Sequence, residues 1–338
     1  MPSVVYTDVD EFADVICGAA GRFIPTALSS AEWRIDQIPV PCLQIQVLQV
    51  GAPATYAGIG RPDRVSVAFP LASAATIRIN GRSLSDDQVL SIHGDNPLTY
   101  ACASATSWAL ISLPPGWCSD EEPGRPLRAN EVTTRVGAAA IGRLRGLINA
   151  LQIENAGTVS NPGFAEAEAE VQELILRMLS MNPEQPNHSC RTGRPALCRD
   201  RIMAHCWDLF ASGSAHPVSV AQLAKAASVT DRTLRTVFYE YFGMGPIQLL
   251  RLRRLHEERR KLLLADRSST VAEIIGPLAV WEAGQFARQY KALYGELPSH
   301  TLSRSPHRPV SIPAPNSKLM SWRDYAAQCF ESPAVRSV

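Results

Sequence analysis

The side chains best placed to do chemistry in this sequence are basic or hydroxyl-bearing, and they share one helix face. In TDRTLRTVFYEYFG (Thr230–Gly243), that face carries Arg232, Arg235, Thr236 and Tyr239. Leu234, Val237, Phe238 and Tyr241 recur at i, i+3, i+4 and i+7 on the opposite side, the apolar stripe of a helix packed on a core. Thr230 is placed to cap the helix start, with Asp231 favourable in its first turn. Upstream, VSVAQLAKAA (Val218–Ala227) puts Val220, Leu223 and Ala224 on one face, and SVT follows as a three-residue turn. Helix, short turn and a second helix with a basic outer face predict a helix-turn-helix. Its second helix brings its N-terminal residues to base edges in a major groove.

The pattern recurs. EAGQFARQYKALYG (Glu282–Gly295) repeats it 52 residues on, with Phe286, Tyr290, Tyr294 and Gly295 answering Leu234, Phe238, Phe242 and Gly243. Its first helix and turn are TVAEIIGPLAV, where Ile274 and Val280 answer Leu223 and Val229 at an offset of 51. The second turn is therefore one residue longer. Between the copies, PIQLLRLRRLHEERRKLLL (Pro246–Leu264) has Pro at a helix-starting position and predicts a rod of ~28 Å. Successive major grooves on one face of a duplex lie ~34 Å apart, so the rod suits two helices on one face. The run RLRRLHEERRK is weak evidence alone, because such faces are usually solvated and Arg254 is placed to pair with Glu257 and Glu258.

Other chemistries lack their residues. Neither GxSxG nor GxxxxGK[ST] occurs. A metal site of cupin type needs clustered His and carboxylates, and the strand-rich region offers only His93. Cys118 is followed by SDEE, acids that disfavour a reactive thiolate. The eight cysteines are scattered with no CxxC pair, which reads as reduced thiols in a cytoplasmic protein. No signal peptide or membrane span is expected, because the start is acidic and no apolar run approaches ~18 residues. The expectation is therefore a protein with no catalytic residues, no metal and no cofactor.

Charge divides the chain in two. Residues 1–200 hold 15 Arg and no Lys against 21 acids, a net −6, whereas 201–338 hold 18 basic residues against 11 acids, a net +7. Only the second half suits a polyanion. The first half is β-rich from Trp33 to Pro114: LQIQVLQV, RVSVAF, TIRIN, QVLSIH and SWALISL are separated by turns, including the hairpin pair Asn80-Gly81. An antiparallel barrel over about 31–115 is expected. Helical apolar spacing follows at 131–151 (Val132, Val136, Leu144, Leu147, Leu151) and 164–181 (Val171, Leu174, Ile175, Met178, Leu179). These stripes suit either a dimer interface or burial on the barrel's flank. The Pro-rich run 182–195 reads as a linker, 196–305 as helical and 306–338 as a flexible tail.

LAKAASVTDRTLRTVFYEYFGMGPIQLLRLRRL and FARQYKALYGELPSHTL, in this order and spacing, resemble the DNA-binding domain of the AraC/XylS family of bacterial transcriptional regulators. The strong match spans about 85 of the 338 residues, and residues 1–181 match only in kind. The resemblance implies an α+β chain: a cupin-like effector and dimerisation domain at 1–181 and a DNA-binding domain at 196–305. By position it places base reading on Arg232, Arg235 and Thr236 in the first unit, and on Ala283, Gly284, Ala287 and Arg288 in the second. Arg can read guanine bidentately, and Thr can meet a base edge or a thymine methyl. In the second set only Arg288 has reach, and Glu282 would repel phosphate. The family's usual Gly-Phe turn is Ala279-Val280 here, and Gly276-Pro277 should shorten the helix before it.

The first unit is therefore expected to read sequence. The second is expected to clamp phosphates through Arg288 and Lys291, with Thr230 and Tyr239 as further phosphate contacts. Expected partners are double-stranded promoter DNA, RNA polymerase, a second copy of the chain as a homodimer, and a small organic effector inside the barrel; activation is expected rather than repression. Trp33, Tyr56, Tyr100 and Trp108 are expected to be core rather than effector contacts. Two other readings stay open, a regulator whose N-terminal domain only dimerises and a cupin-type enzyme fused to a DNA-binding domain.

Overall fold

The computed structural model describes residues 3–61, 64–74, 76–93, 97–113, 133–155, 163–180, 199–211, 218–266, 269–275 and 283–304. The readings on the 182–195 linker, the 306–338 tail, Cys118, Val132, Gly276-Pro277, Ala279-Val280 and Glu282 lie outside them. The chain divides into two units. Among the described residues the first holds 3–23 and 31–180, and the second 24–30 and 199–304.

The first unit contains β1 (Val4–Tyr6), α1 (Val9–Asp14), most of β2 (Ala19–Pro25), β3 (Trp33–Pro39), β4 (Gln44–Val50), β5 (Ala54–Gly60) and β6 (Val65–Pro70). It continues with β7 (Ile77–Ile79), β8 (Arg82–Ser83), β9 (Gln88–His93), β10 (Pro97–Cys102), β11 (Thr106–Ser112), β12 (Thr133–Arg135), α2 (Ala138–Asn155) and α3 (Gly163–Ser180). The α+β class and antiparallel strands are as the sequence predicts. The strands form two sheets rather than one closed barrel: seven strands in the order β1-β3-β4-β11-β6-β9-β12, and five in the order β2-β5-β10-β7-β8. Asn80 and Gly81 do form the two-residue turn between β7 and β8, both at positive φ (46° and 77°), as a type I′ turn requires.

The seven-stranded sheet is the middle layer. Along β11, Trp108 and Leu110 join the cluster between the sheets, while Ala109 and Ile111 join the cluster beneath α2 and α3. Both faces are buried, so these strands read as apolar runs rather than strict alternation. Between the sheets the aromatics interlock edge to face: Phe12–Trp33 at 5.1 Å, Phe23–Trp33 at 5.4 Å and Tyr100–Trp108 at 5.6 Å between ring centroids.

Two details depart from the sequence reading. Strands β1 and β2 precede residue 31, and β12 follows 115. The helix expected from 131 starts at Ala138, because Thr133–Arg135 pair with β9 and Gly137 takes a left-handed φ of 87°. The helix stripes are taken up by the sheet: Leu144, Leu151, Val171, Ile175 and Met178 pack in the cluster formed with β4, β6 and β11. Of the two uses weighed for those stripes, burial on the sheet is the one observed. Buried Glu168 fixes α3 further, its carboxylate accepting the N–H groups of Cys42 (2.6 Å) and Leu43 (2.7 Å).

The second unit contains α4 (Arg199–Ala211), α5 (Val220–Ala226), α6 (Asp231–Phe242), α7 (Pro246–Leu264), α8 (Val271–Ile275), α9 (Ala283–Tyr294) and α10 (Pro298–Ser303). They share one apolar core, with Leu223, Leu234, Phe238, Leu262 and Tyr290 fully buried in it.

Candidate nucleic-acid interface

Local caps fix the helices of both copies. Ser219 caps α5 in a full capping box with Gln222, and Thr270 with Glu273 makes the same exchange at α8, 51 residues on. Their spacing, S-V-A-Q and T-V-A-E, is a readable signal that the apolar-stripe reading passed over. Ser228, at a left-handed φ of 53°, turns the chain from α5 into α6. Thr230 caps α6, accepting the N–H of Thr233 at 3.2 Å. Helices α6 and α9 are each 12 residues long and end on a left-handed glycine, Gly243 (φ 69°) and Gly295 (φ 76°). Gly243 N–H donates to Tyr239 O at 3.0 Å, and Gly295 N–H to Lys291 O at 2.8 Å. The repeat also runs further than the aromatics suggest, because Gly-x-x-Pro follows both helices, Pro246 starting α7 and Pro298 starting α10.

These caps leave the polar faces outward. Arg232, Arg235, Thr236 and Tyr239 on α6 are exposed, and so are Arg288 and Lys291 on α9. Among the described residues, no carboxylate pairs with Arg232, Arg235, Arg288 or Lys291, so their charge is available to a polyanion. Thr236 is more restricted: its hydroxyl donates to Arg232 O at 3.1 Å, which leaves an acceptor and a methyl to present outward. Tyr239, 56% exposed, lies over Gly245 at the end of the helix. Position by position, Arg232, Arg235, Thr236 and Tyr239 become Gly284, Ala287, Arg288 and Lys291 in the second copy. Both copies thus present cations, and only the first groups two forked donors.

The connector α7 is the predicted 19-residue helix with Pro at its start, ~28 Å long. Its arginines work differently from expectation. Arg253, not Arg254, pairs with Glu257 (2.8 Å); it also donates to Phe210 O (3.1 Å) and covers the Phe210 ring at 4.2 Å. Lys261 takes Glu258 (3.0 Å), and Arg259 takes Glu296 (2.8 Å). Arg253–Glu257 and Arg254–Glu258 have the same i,i+4 spacing, so spacing alone does not choose between them; Arg253 is the one that also meets Phe210.

In the first unit a cavity of about 70 Å³ lies between the sheets, with a wholly apolar lining. Trp108, Tyr100 and Tyr56 line it, so three of the four aromatics expected as core are both core and cavity wall. Thr106 Oγ1 takes up both Tyr100 Oη (2.6 Å) and Trp108 Nε1 (3.2 Å), which turns their polar ends away from the space. Ile16, Ala19 and Phe23 complete the lining from outside the 31–115 span read from sequence. Burial raises the thiols of Cys17 and Cys102, and pushes Cys206 up to about 12. Among the described residues no three His, Cys, Asp or Glu gather as a metal site, and no helix is long and apolar enough to cross a membrane.

Two helices, α6 and α9, each with an outward basic face and joined through the long helix α7, have the arrangement expected of a DNA-binding domain. Residues 223–304 match a helix-turn-helix domain family. The chain is 33% identical over 116 residues to a probable thc operon regulatory protein of Rhodococcus erythropolis, covering 34% of each. It is 29% identical over 192 residues to XylDLEGF operon transcriptional activator 3 of Pseudomonas putida, covering 55% of each. The chain therefore spans about half or less of the length of these relatives. The crystal structure of the AraC-like transcriptional activator CuxR overlaps 76% of this chain and 94% of its own, at 14% identity and a TM-score of 0.39. Over the helix-turn-helix region the chain is similar to regulators of the AraC/XylS type.

Proposed function

We propose that this chain is a cytoplasmic, sequence-specific DNA-binding transcriptional regulator, an activator that responds to a small organic effector in its N-terminal unit. One observation carries the reading: two helices that end on equivalent left-handed glycines and present exposed cations flank a 19-residue rod. Arg232, Arg235 and Thr236 read bases. Arg288 reaches one further base edge and joins Lys291, Thr230 and Tyr239 on phosphates. The activator names of the Pseudomonas relatives support the direction of regulation.

The apolar cavity supports an effector site and bears on its chemistry. A charged group would enter without a hydrogen-bonding partner, at a cost of several kcal/mol, so the part of an effector that enters is apolar. Dimerisation and contact with RNA polymerase belong to the same proposal.

Salt-titrated binding of the full chain to a selected duplex and to a scrambled one tests the DNA reading. The expected result is an affinity ratio of at least ~10³ together with a steep loss of affinity in salt. Equal affinity for the two duplexes at every salt concentration contradicts it.

A further inference from the structure

The second recognition helix carries a buried polar ring where the first has apolar packing. Phe238 and Tyr290 hold equivalent, fully buried places, and only Tyr290 has a hydroxyl. It meets Thr301 Oγ1 at 2.7 Å; the Thr301 hydroxyl in turn donates to Glu296 Oε1 at 2.8 Å, so Tyr290 is the donor to Thr301. From the connector, Arg259 Nη1 donates to the same Glu296 oxygen at 2.8 Å and to Tyr290 Oη at 3.3 Å. The bonds close into a ring: Arg259 to Tyr290, Tyr290 to Thr301, Thr301 to Glu296, and Arg259 back to Glu296. Arg304 pairs with the other carboxylate oxygen, and the Arg259 guanidinium lies over the Tyr294 ring at 4.6 Å. The Arg259 and Glu296 side chains are only 13% and 15% exposed.

In the first copy, the residue equivalent to Glu296 is Met244, buried in the apolar core. On α6, Tyr241 ties to Asp200 and Glu240 to Arg199, both on α4. Apolar packing is non-directional, whereas a closed hydrogen-bonded ring admits one arrangement of its members. Each partner in the ring is satisfied, which is the condition under which a buried polar cluster specifies geometry.

We propose that Arg259 and Glu296 are positioning residues for DNA binding: through Tyr290 and Thr301 they fix the second recognition helix to the connector, and so set where Arg288 and Lys291 meet the duplex. This rests on the DNA-binding reading above.

The test uses the full chain, a duplex that the wild-type chain selects from a random pool, hydroxyl-radical footprinting over a concentration series, and thermal unfolding of every variant. Glu296→Gln keeps the size and removes the charge. The double variant Arg259→Met with Glu296→Met gives the site the apolar character of the first copy and keeps the test open if the single variant unfolds. In folded variants, the segment protected by the second helix weakens about tenfold relative to the first segment, the scale of coupling carried by such networks. Arg253→Ala, which destabilises the same unit from another place, leaves the ratio of the two segments unchanged. Equal weakening of both segments, unchanged protection in a folded variant, or a wild-type footprint of one segment overturns the proposal. If the wild-type chain selects no duplex at all, the DNA-binding reading itself fails.

Discussion

Arg235 and Arg288 represent the two kinds of contact the interface offers. Arg235 lies one helical turn from Arg232 on an exposed face, and its fork matches the paired acceptors of guanine. Arg288 stands alone where the first copy has Thr236, flanked by Gly284 and Ala287, which offer no reach. Arg235→Ala should therefore cost ~1–3 kcal/mol on the preferred site and relax discrimination at one base pair. Arg288→Ala should weaken all sequences about equally and reduce the salt slope by ~1. Binding of a panel of single-base variants measures both. Loss of preference at one half of the site on Arg288→Ala would show that the second helix reads bases. A second residue-level outcome concerns Arg253, whose partners are Glu257, the Phe210 carbonyl and the Phe210 ring. Arg253→Ala should lower stability by ~1–3 kcal/mol, the scale of a charge-assisted hydrogen bond, with the salt slope of DNA binding unchanged. A shallower slope would instead place Arg253 on phosphate.

At the scale of elements, the two recognition helices share their caps and aromatic cores and differ in how the second is tied to the connector. Burial opposes ionisation of Glu296, but Arg259, Thr301 and Arg304 outweigh it and hold its carboxyl below the ordinary 4.5. A depressed folded value means that Glu296 contributes stability above pH ~4.5 and loses it as pH falls through the folded value. Glu258 runs the other way, because burial raises its carboxyl despite Lys261, so its protonation relieves the fold as pH falls. Comparing wild type with Glu296→Gln separates the two: the wild-type advantage in thermal unfolding should be full near neutral pH and shrink below pH ~4.5. An advantage that is constant down to pH 3 would show that the network contributes no charge energy. The helix repeat was legible in sequence because buried residues keep a fixed offset, 52 for the aromatics and glycines. The ring was not, because Arg259, Tyr290, Glu296 and Thr301 lie up to 42 residues apart and only the fold brings them together. The strand reading found β4, β6, β7, β9 and β11, whose apolar runs fill the core, and missed β1, β2, β3, β5, β10 and β12. β5, ATYAGIG, carries glycines whose use is positional: Gly58 lies against the Tyr56 ring, where a Cβ would collide.

For the whole molecule, an acidic β-rich unit with an apolar-lined space joins a basic helical unit with two outward faces. The cavity wall near Ala68 offers a direct handle. Ala68→Val should fill part of the ~70 Å³ and raise stability by up to ~1 kcal/mol, while reducing any thermal shift produced by apolar small molecules. Destabilisation with the ligand response intact would place the effector elsewhere. The central claim is that one rigid connector carries both recognition helices onto one face of DNA, and hydroxyl-radical footprinting of the wild-type chain on a selected duplex tests it most directly. The account predicts two protected segments on the same face, centred ~10 base pairs apart. One protected segment, or two on opposite faces, would contradict it.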